Sequence, residues 1–263
     1  MTHIMVGDGV LPWWLSGAGI LAAVVLVSIA SRHVTRTGSR RAIPATGVMT
    51  ALMVVVMSIE IVPIGYELHG TVLAGIILGP WFGAISSLLF NVVRAFLGDG
   101  AITNIGLNTV VTWLEMAVGS MVFSRLRPFA YRGRASLCGG VATAVSLSLS
   151  TLVFLAIIAI SGVEPASAVH TGSFDVATGT FDPEIHSGGL VEVHQPGSGD
   201  HTEATVAGLT PFTWFAFATL FLGALGWAIE GLVTGVTVGF IARIRPGLLG
   251  LSMGTDGRGR PTE

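Results

Sequence analysis

The chain opens Met1-Thr2-His3, and these few residues hold a chelating set of nitrogens. A histidine close to a free amine offers the amine, the intervening amide nitrogens once deprotonated, and the imidazole. These can share one plane, and square-planar nitrogen sites favour Cu(II) or Ni(II). Thr2 is small, so removal of the initiator methionine is expected. The mature chain then begins Thr2-His3, supplies three nitrogens and leaves one position for a fourth ligand. If Met1 stays, its amine, two amides and His3 fill the plane alone. An early histidine can also be a solvated terminus, so this signal does not decide the chemistry by itself.

A second histidine, His69, lies in the run Val62-Pro63-Ile64-Gly65-Tyr66-Glu67-Leu68-His69-Gly70, at the expected outer end of an apolar helix. An ionisable residue at membrane depth suggests function; the alternative is a histidine bonded to a neighbouring helix end. Pro63, Ile64 and Gly65 interrupt the helices, and broken backbone at that depth must be buried in protein or line a cavity. Four more histidines, His170, His186, His194 and His201, are spaced 16, 8 and 7 residues apart. That spacing fits no compact metal motif. They read either as a weak metal-capture tract or as part of a solvated loop.

The elements that must carry these residues are membrane helices. The chain has 263 residues, 51% hydrophobic and 11% charged, with a mean hydropathy of +0.77. A soluble domain carries about 25% charged residues, so a water-facing surface cannot be built from this inventory. The net charge of −2 gives no reason to expect nucleic acid. All 13 basic residues are arginine, which excludes a P-loop lysine or a Schiff-base lysine in this chain. Any ATP-driven work must draw on another subunit. The single cysteine, Cys138, excludes an internal disulfide and any multi-cysteine zinc site, and is expected to be a small helix-packing residue. The first arginine, Arg32, follows the first apolar run, which is the wrong order for a signal peptide.

Spanning helices need about 20 mostly apolar residues. Seven candidates are expected, over residues 13–31, 43–61, 66–78, 81–97, 105–123, 137–160 and 211–241, making an all-α membrane protein. The third is short and stops at Gly79-Pro80, a strong breaker pair. The arginines follow the first, fifth and seventh segments: Arg32, Arg36, Arg40 and Arg41; Arg125, Arg127, Arg132 and Arg134; Arg243 and Arg245. Clusters of this kind stay inside. The expected orientation therefore puts the N-terminus outside, the C-terminus in the cytoplasm, and Trp13 and Trp14 at the outer interface. Arg94 breaks the pattern and is expected to snorkel or to pair with Asp99. Residues 1–247 form the expected transmembrane metal-binding domain, and 248–263 a disordered cytoplasmic tail. Residues 162–207 hold seven acids and no arginine. They are expected to form a flexible extracytoplasmic insertion.

Other polar groups fall within or beside these segments. Asp8, Glu67 and Asn108 are candidates to orient a metal ligand through a hydrogen bond, or to cap helices. Glu60, Glu115 and Glu230 are expected to be structural groups between helices. Gly47 and Ala51 make a small-residue face, expected to pack internally.

Several motifs, taken in order, resemble the CbiM/NikM family, the substrate-specific membrane components of cobalt and nickel energy-coupling factor transporters. His3-Ile4 precedes Gly9-Val10-Leu11-Pro12. Pro63-Ile64 and His69 precede Leu73-Ala74-Gly75-Ile76-Ile77-Leu78-Gly79-Pro80-Trp81. Gly98-Asp99-Gly100-Ala101-Ile102-Thr103 leads to Gly106-Leu107-Asn108, and Glu230-Gly231 precedes Thr234. The resemblance covers most of residues 3–125, and 223–241. It implies a Ni(II) or Co(II) site made of the N-terminal amine of Thr2 (or Met1), the amide and ring of His3, and His69. It also implies that the metal is cargo rather than a permanent cofactor, and that the chain is a transporter subunit rather than an enzyme. The implied partners are a membrane coupling subunit, ATP-binding cassette ATPases and, in some assemblies, a small accessory membrane subunit. Two departures stand out. Thr2 lies between methionine and histidine, a spacing that methionine removal restores, and the 162–207 insertion is not typical of members. Two other readings stay open: a related component that binds a vitamin in an apolar pocket, and a membrane-anchored metal sensor or chaperone using the 162–207 loop.

Overall fold

The computed structural model describes residues 11–37, 42–57, 60–61, 66–97, 102–162, 174–175, 180–181 and 211–251. Six α-helices carry these residues: α1 (Trp13–Thr37), α2 (Ala42–Met57), α3 (Thr71–Leu97), α4 (Ile105–Phe129), α5 (Ala135–Ser161) and α6 (Pro211–Ile244). Five are long and apolar enough to cross a membrane, and α2 is a shorter apolar helix. The protein is therefore an all-helical, multi-pass membrane protein. Two short antiparallel pairings accompany the helices. Glu60–Ile61 pairs with Tyr66–Glu67, and Phe174–Asp175 with Thr180–Phe181.

The polarity of the bundle is that of a protein in lipid. Its outside carries large apolar side chains such as Leu21, Val48, Phe221, Leu232 and Phe240, each at least 60% exposed. Its inside holds hydroxyls, amides and carboxylates, among them Thr50, Ser86, Asn91, Glu115, Ser146 and Glu230, all nearly inaccessible. Hydrocarbon accepts the former without penalty, and the latter find partners only inside the protein.

Helix α3 is not straight. Gly79 has φ +75 and ψ 174 and is followed by Pro80. The left-handed φ suits glycine, and proline begins a new helix because its missing N–H is not needed there. At the start of α3, Thr71 Oγ1 donates to Glu115 Oε2 at 2.9 Å. Towards its end, Asn91 Nδ2 donates to Thr112 Oγ1 at 3.3 Å. Thr71 and Asn91 would be about 30 Å apart on a straight helix, yet they reach α4 residues less than one turn apart. The chain therefore doubles back at Gly79, and both limbs pack on α4. A Cβ on Gly75 would lie 2.6 Å from Met116 Cα, and one on Gly83 would lie 3.3 Å from Met116 Cβ. The first limb, residues 71–78, is about 12 Å long, less than half of a bilayer core of about 30 Å. It begins at Thr71 rather than at Tyr66. Tyr66 and Glu67 are in an extended pair, and Gly70 takes φ +63. In place of seven separate segments, the described residues hold six helices, one of them folded at the expected break.

Packing fixes the remaining directions. Ser16 Oγ donates to Asn104 Oδ1 at 2.7 Å, so α1 and α4 begin at the same end. The start of α5 meets the end of α6, where a Cβ on Gly139 would lie 3.0 Å from Val238 Cβ. The arginines that end α1, α4 and α6 thus gather at one end of the bundle. A π-helical turn over Ala130–Arg134 joins α4 to α5 there. Cys138 is buried, its thiol 3.6 Å from Leu126 O, as a packing residue should be.

Three expectations change. Arg94 does not snorkel: it is 5% exposed, with its guanidinium 5.7 Å from the Phe90 ring centre. Asp99 lies outside the described residues. Gly47 and Ala51 do not pack internally but sit on an exposed face of α2. The chain also stays packed beyond residue 247. Pro246–Leu249 forms a 3-10 turn, Leu249 and Leu251 are buried, and Tyr131 Oη donates to Gly250 O at 3.1 Å.

Candidate metal centre

His69 comes just before the short first limb of α3 and is fully buried. Its surroundings come from three helices distant in sequence. Glu230 on α6 faces the imidazole, with Oε2 3.2 Å from Nδ1. The other oxygen of that carboxylate, Oε1, accepts the Gly70 N–H at 3.1 Å. Glu115 on α4 lies within electrostatic range of both His69 and Glu230. It accepts from Thr71 Oγ1 and, at 2.6 Å, from Ser150 Oγ on α5. Ser146 Oγ donates to the Glu115 carbonyl at 2.6 Å.

These contacts give the depth of the site. Glu115 is near the middle of α4, and Ser146 and Ser150 flank the middle of α5. His69 therefore lies midway through the bundle, although it precedes a helix. The reason is that the limb it precedes is only half a span long. A helix N-terminus carries a partial positive charge from its unpaired N–H groups. Here it meets two carboxylates: Glu230, taking the Gly70 N–H, and Glu115, taking the Thr71 hydroxyl. Two acids in mid-bundle are compatible with a membrane interior only when held in this way.

An imidazole with one nitrogen on a carboxylate presents the other as a ligand, because hydrogen bonding at one nitrogen fixes the tautomer at both. His69 has that arrangement, with Nε2 buried within the bundle. Among the described residues no three histidine, cysteine or acidic side chains are grouped to hold a metal ion.

Met1, Thr2, His3 and Asp8 lie outside the described residues, as do His170, His186, His194 and His201. Glu67 is described only as backbone, paired with Glu60. Asn108 is buried on α4, one turn from Asn104 and two from Glu115. Leu11 is buried among Phe154, Leu155 and Ile158 at the far end of α5. Glu230 is the residue that the sequence alone did not tie to the site. Its signal was an acid in an otherwise apolar span, followed by Gly231 and Thr234.

The family model for the cobalt uptake substrate-specific transmembrane region, CbiM, matches residues 3–248. The chain belongs to this family. Membership in the CbiM family makes it a membrane component of metal uptake. Two solved structures share its fold. A transition metal transporter matches at 18% identity and a TM-score of 0.63, over 91% of this chain and 93% of its own. A truncated transition metal transporter matches at 18% identity and a TM-score of 0.59, over 92% and 98%. No curated protein matches the sequence.

Proposed function

We propose that this chain is the substrate-binding membrane subunit of an ATP-driven importer of the energy-coupling-factor type, taking up Ni(II) or Co(II). The observation that carries the proposal is His69, buried in mid-bundle with Nδ1 on Glu230. Its metal partners are the amine of Thr2 (or Met1) and the amide and ring of His3. This all-nitrogen set suits borderline transition metals and discriminates against Mg(II) and Ca(II), which prefer oxygen.

The chain has the reach to bring these ligands together. Eight residue steps separate His3 from Leu11, about 26 Å when extended. Leu11 belongs to the apolar cluster against which Leu107 packs, and Thr71, two residues after His69, bonds to Glu115. Leu107 and Glu115 are about 12 Å apart along α4. The N-terminus therefore has length to spare.

In this reading the arginine end of the bundle is cytoplasmic, by the positive-inside rule. Metal enters from the opposite end. The chain holds no lysine for a P-loop, so separate ATPases hydrolyse ATP and a coupling membrane subunit transmits the work. Asp8, Glu67 and Asn108 remain candidates to orient ligands. The acidic 162–207 insertion serves at most as a weak capture tract.

The test compares histidines. His69→Ala weakens Ni(II) or Co(II) binding far more than His170→Ala, His186→Ala, His194→Ala or His201→Ala, measured by titration calorimetry on the full chain. A chelate that loses a closing ligand loses affinity, whereas a redundant tract that loses one of four members barely changes. Equal effects at His69 and His194 overturn the assignment.

A further inference from the structure

Glu230 makes two bonds across 160 residues of sequence, one to the His69 ring and one to the next backbone N–H, at Gly70. A carboxylate accepts and does not donate. A carboxylate facing Nδ1 therefore favours the tautomer with the proton on Nδ1 and the lone pair on Nε2. The second bond, to Gly70, holds the backbone beside the ring. Gly70 has φ +63, so the chain turns sharply there and the ring's position depends on that turn.

Charge gives a second reason for an acid at this place. A divalent cation bound by a neutral amine, one deprotonated amide and two neutral imidazoles keeps one positive charge. Such a charge is costly in mid-membrane unless it is compensated. Glu230, the carboxylate in contact with the His69 ring, offsets that charge.

We infer that Glu230 is a positioning residue for metal uptake, fixing His69 with Nε2 as the ligand atom and supplying the counter-charge of the bound cation. The inference rests on the His69 site proposed above. It assigns to Glu230 a charge-dependent role distinct from holding helices together.

The experiment uses the full chain with a free N-terminus in detergent or nanodiscs. In metal-free protein labelled with 15N-histidine, the His69 signals are identified by difference from His69→Gln. They are expected to show Nδ1 protonated and Nε2 unprotonated. Ni(II) titration then compares Glu230→Gln with Glu230→Asp. Gln preserves shape and removes the charge together with one of the two acceptor oxygens; Asp keeps the charge and both acceptors but shortens the reach. A charge role predicts a 10- to 100-fold loss of Ni(II) affinity for Glu230→Gln, the usual range for partners behind a ligand, and a smaller loss for Glu230→Asp. A purely structural role predicts that any loss of affinity in either variant tracks an equal loss of thermal stability, whereas the charge role predicts an affinity loss in Glu230→Gln beyond its loss of stability. An Nε2-protonated His69, or unchanged affinity in Glu230→Gln, overturns the inference. Full Ni(II) affinity in His69→Gln overturns the metal site itself, while the nitrogen spectrum still decides the pairing of Glu230 with His69.

Discussion

Thr71 Oγ1 donates to Glu115 Oε2 at 2.9 Å, tying the residue two places after His69 to a carboxylate on the neighbouring helix. The other oxygen of Glu115 takes the Ser150 hydroxyl at 2.6 Å, so one acid fastens α3 and α5 to α4. Glu115→Ala removes the acceptor of the Thr71 hydroxyl and leaves Ser150 with only its 3.3 Å bond to Leu147 O. Its cost is about 1–3 kcal/mol per unsatisfied group at most. Thr71→Val removes one bond and costs about 1 kcal/mol. Thermal unfolding in detergent should rank Glu115→Ala as the more damaging of the two; equal midpoints would contradict the contact.

The glycines of α2 and α3 make a paired steric prediction. A Cβ on Gly75 would lie 2.6 Å from Met116 Cα and 2.7 Å from its carbonyl carbon, whereas one on Gly47 meets nothing within 4 Å. Backbone cannot move aside as a side-chain tip can. Gly75→Ala should therefore destabilise by about 1–3 kcal/mol or more, as overpacking does. Gly47→Ala should leave stability of the isolated subunit unchanged or slightly raised. Thermal unfolding of the two variants side by side is the check.

Orientation follows from the arginines and is tested by labelling. In a Cys138→Ala background, Ser187→Cys should react with a membrane-impermeant thiol reagent added to intact cells, and Ser39→Cys should not. Labelling of Ser187→Cys from the cytoplasmic face alone would reverse the proposed topology.

The N-terminus gives the most direct test of the ligand set. If its amine binds metal, an uncleaved N-terminal tag or acetylation abolishes Ni(II) or Co(II) binding. A tag after Glu263 should be harmless, because it lies 12 residues beyond Leu251, the last described position, and far along the chain from the proposed ligands. Mass spectrometry should find Thr2 as the first residue. Metal binding should release protons and weaken at low pH, because the amine and amide must lose protons to coordinate. Full affinity with a retained N-terminal tag removes His69's partners and with them the proposal.

Hydropathy is local, and so it was legible. The starts of α1, α4, α5 and α6 lie within two residues of those expected from apolar runs alone, and Gly79-Pro80 breaks the helix where its chemistry says it must. The described arginines that end α1, α4 and α6 also gather at one end, as their spacing implied. His69 stood out because a histidine among membrane segments is costly. The tertiary structure decided what surrounds it. Glu230 is 161 residues away from His69, and no periodicity within α6 announces which buried partner its acid meets. The depth of His69 was equally hidden, because it depends on the first limb of α3 being only half a span long. That Arg94 is buried rather than snorkelling, and that Gly47 faces outward, was hidden for the same reason. Composition tells which residues lipid tolerates, but only the packing of one helix on another determines which face each residue turns inward.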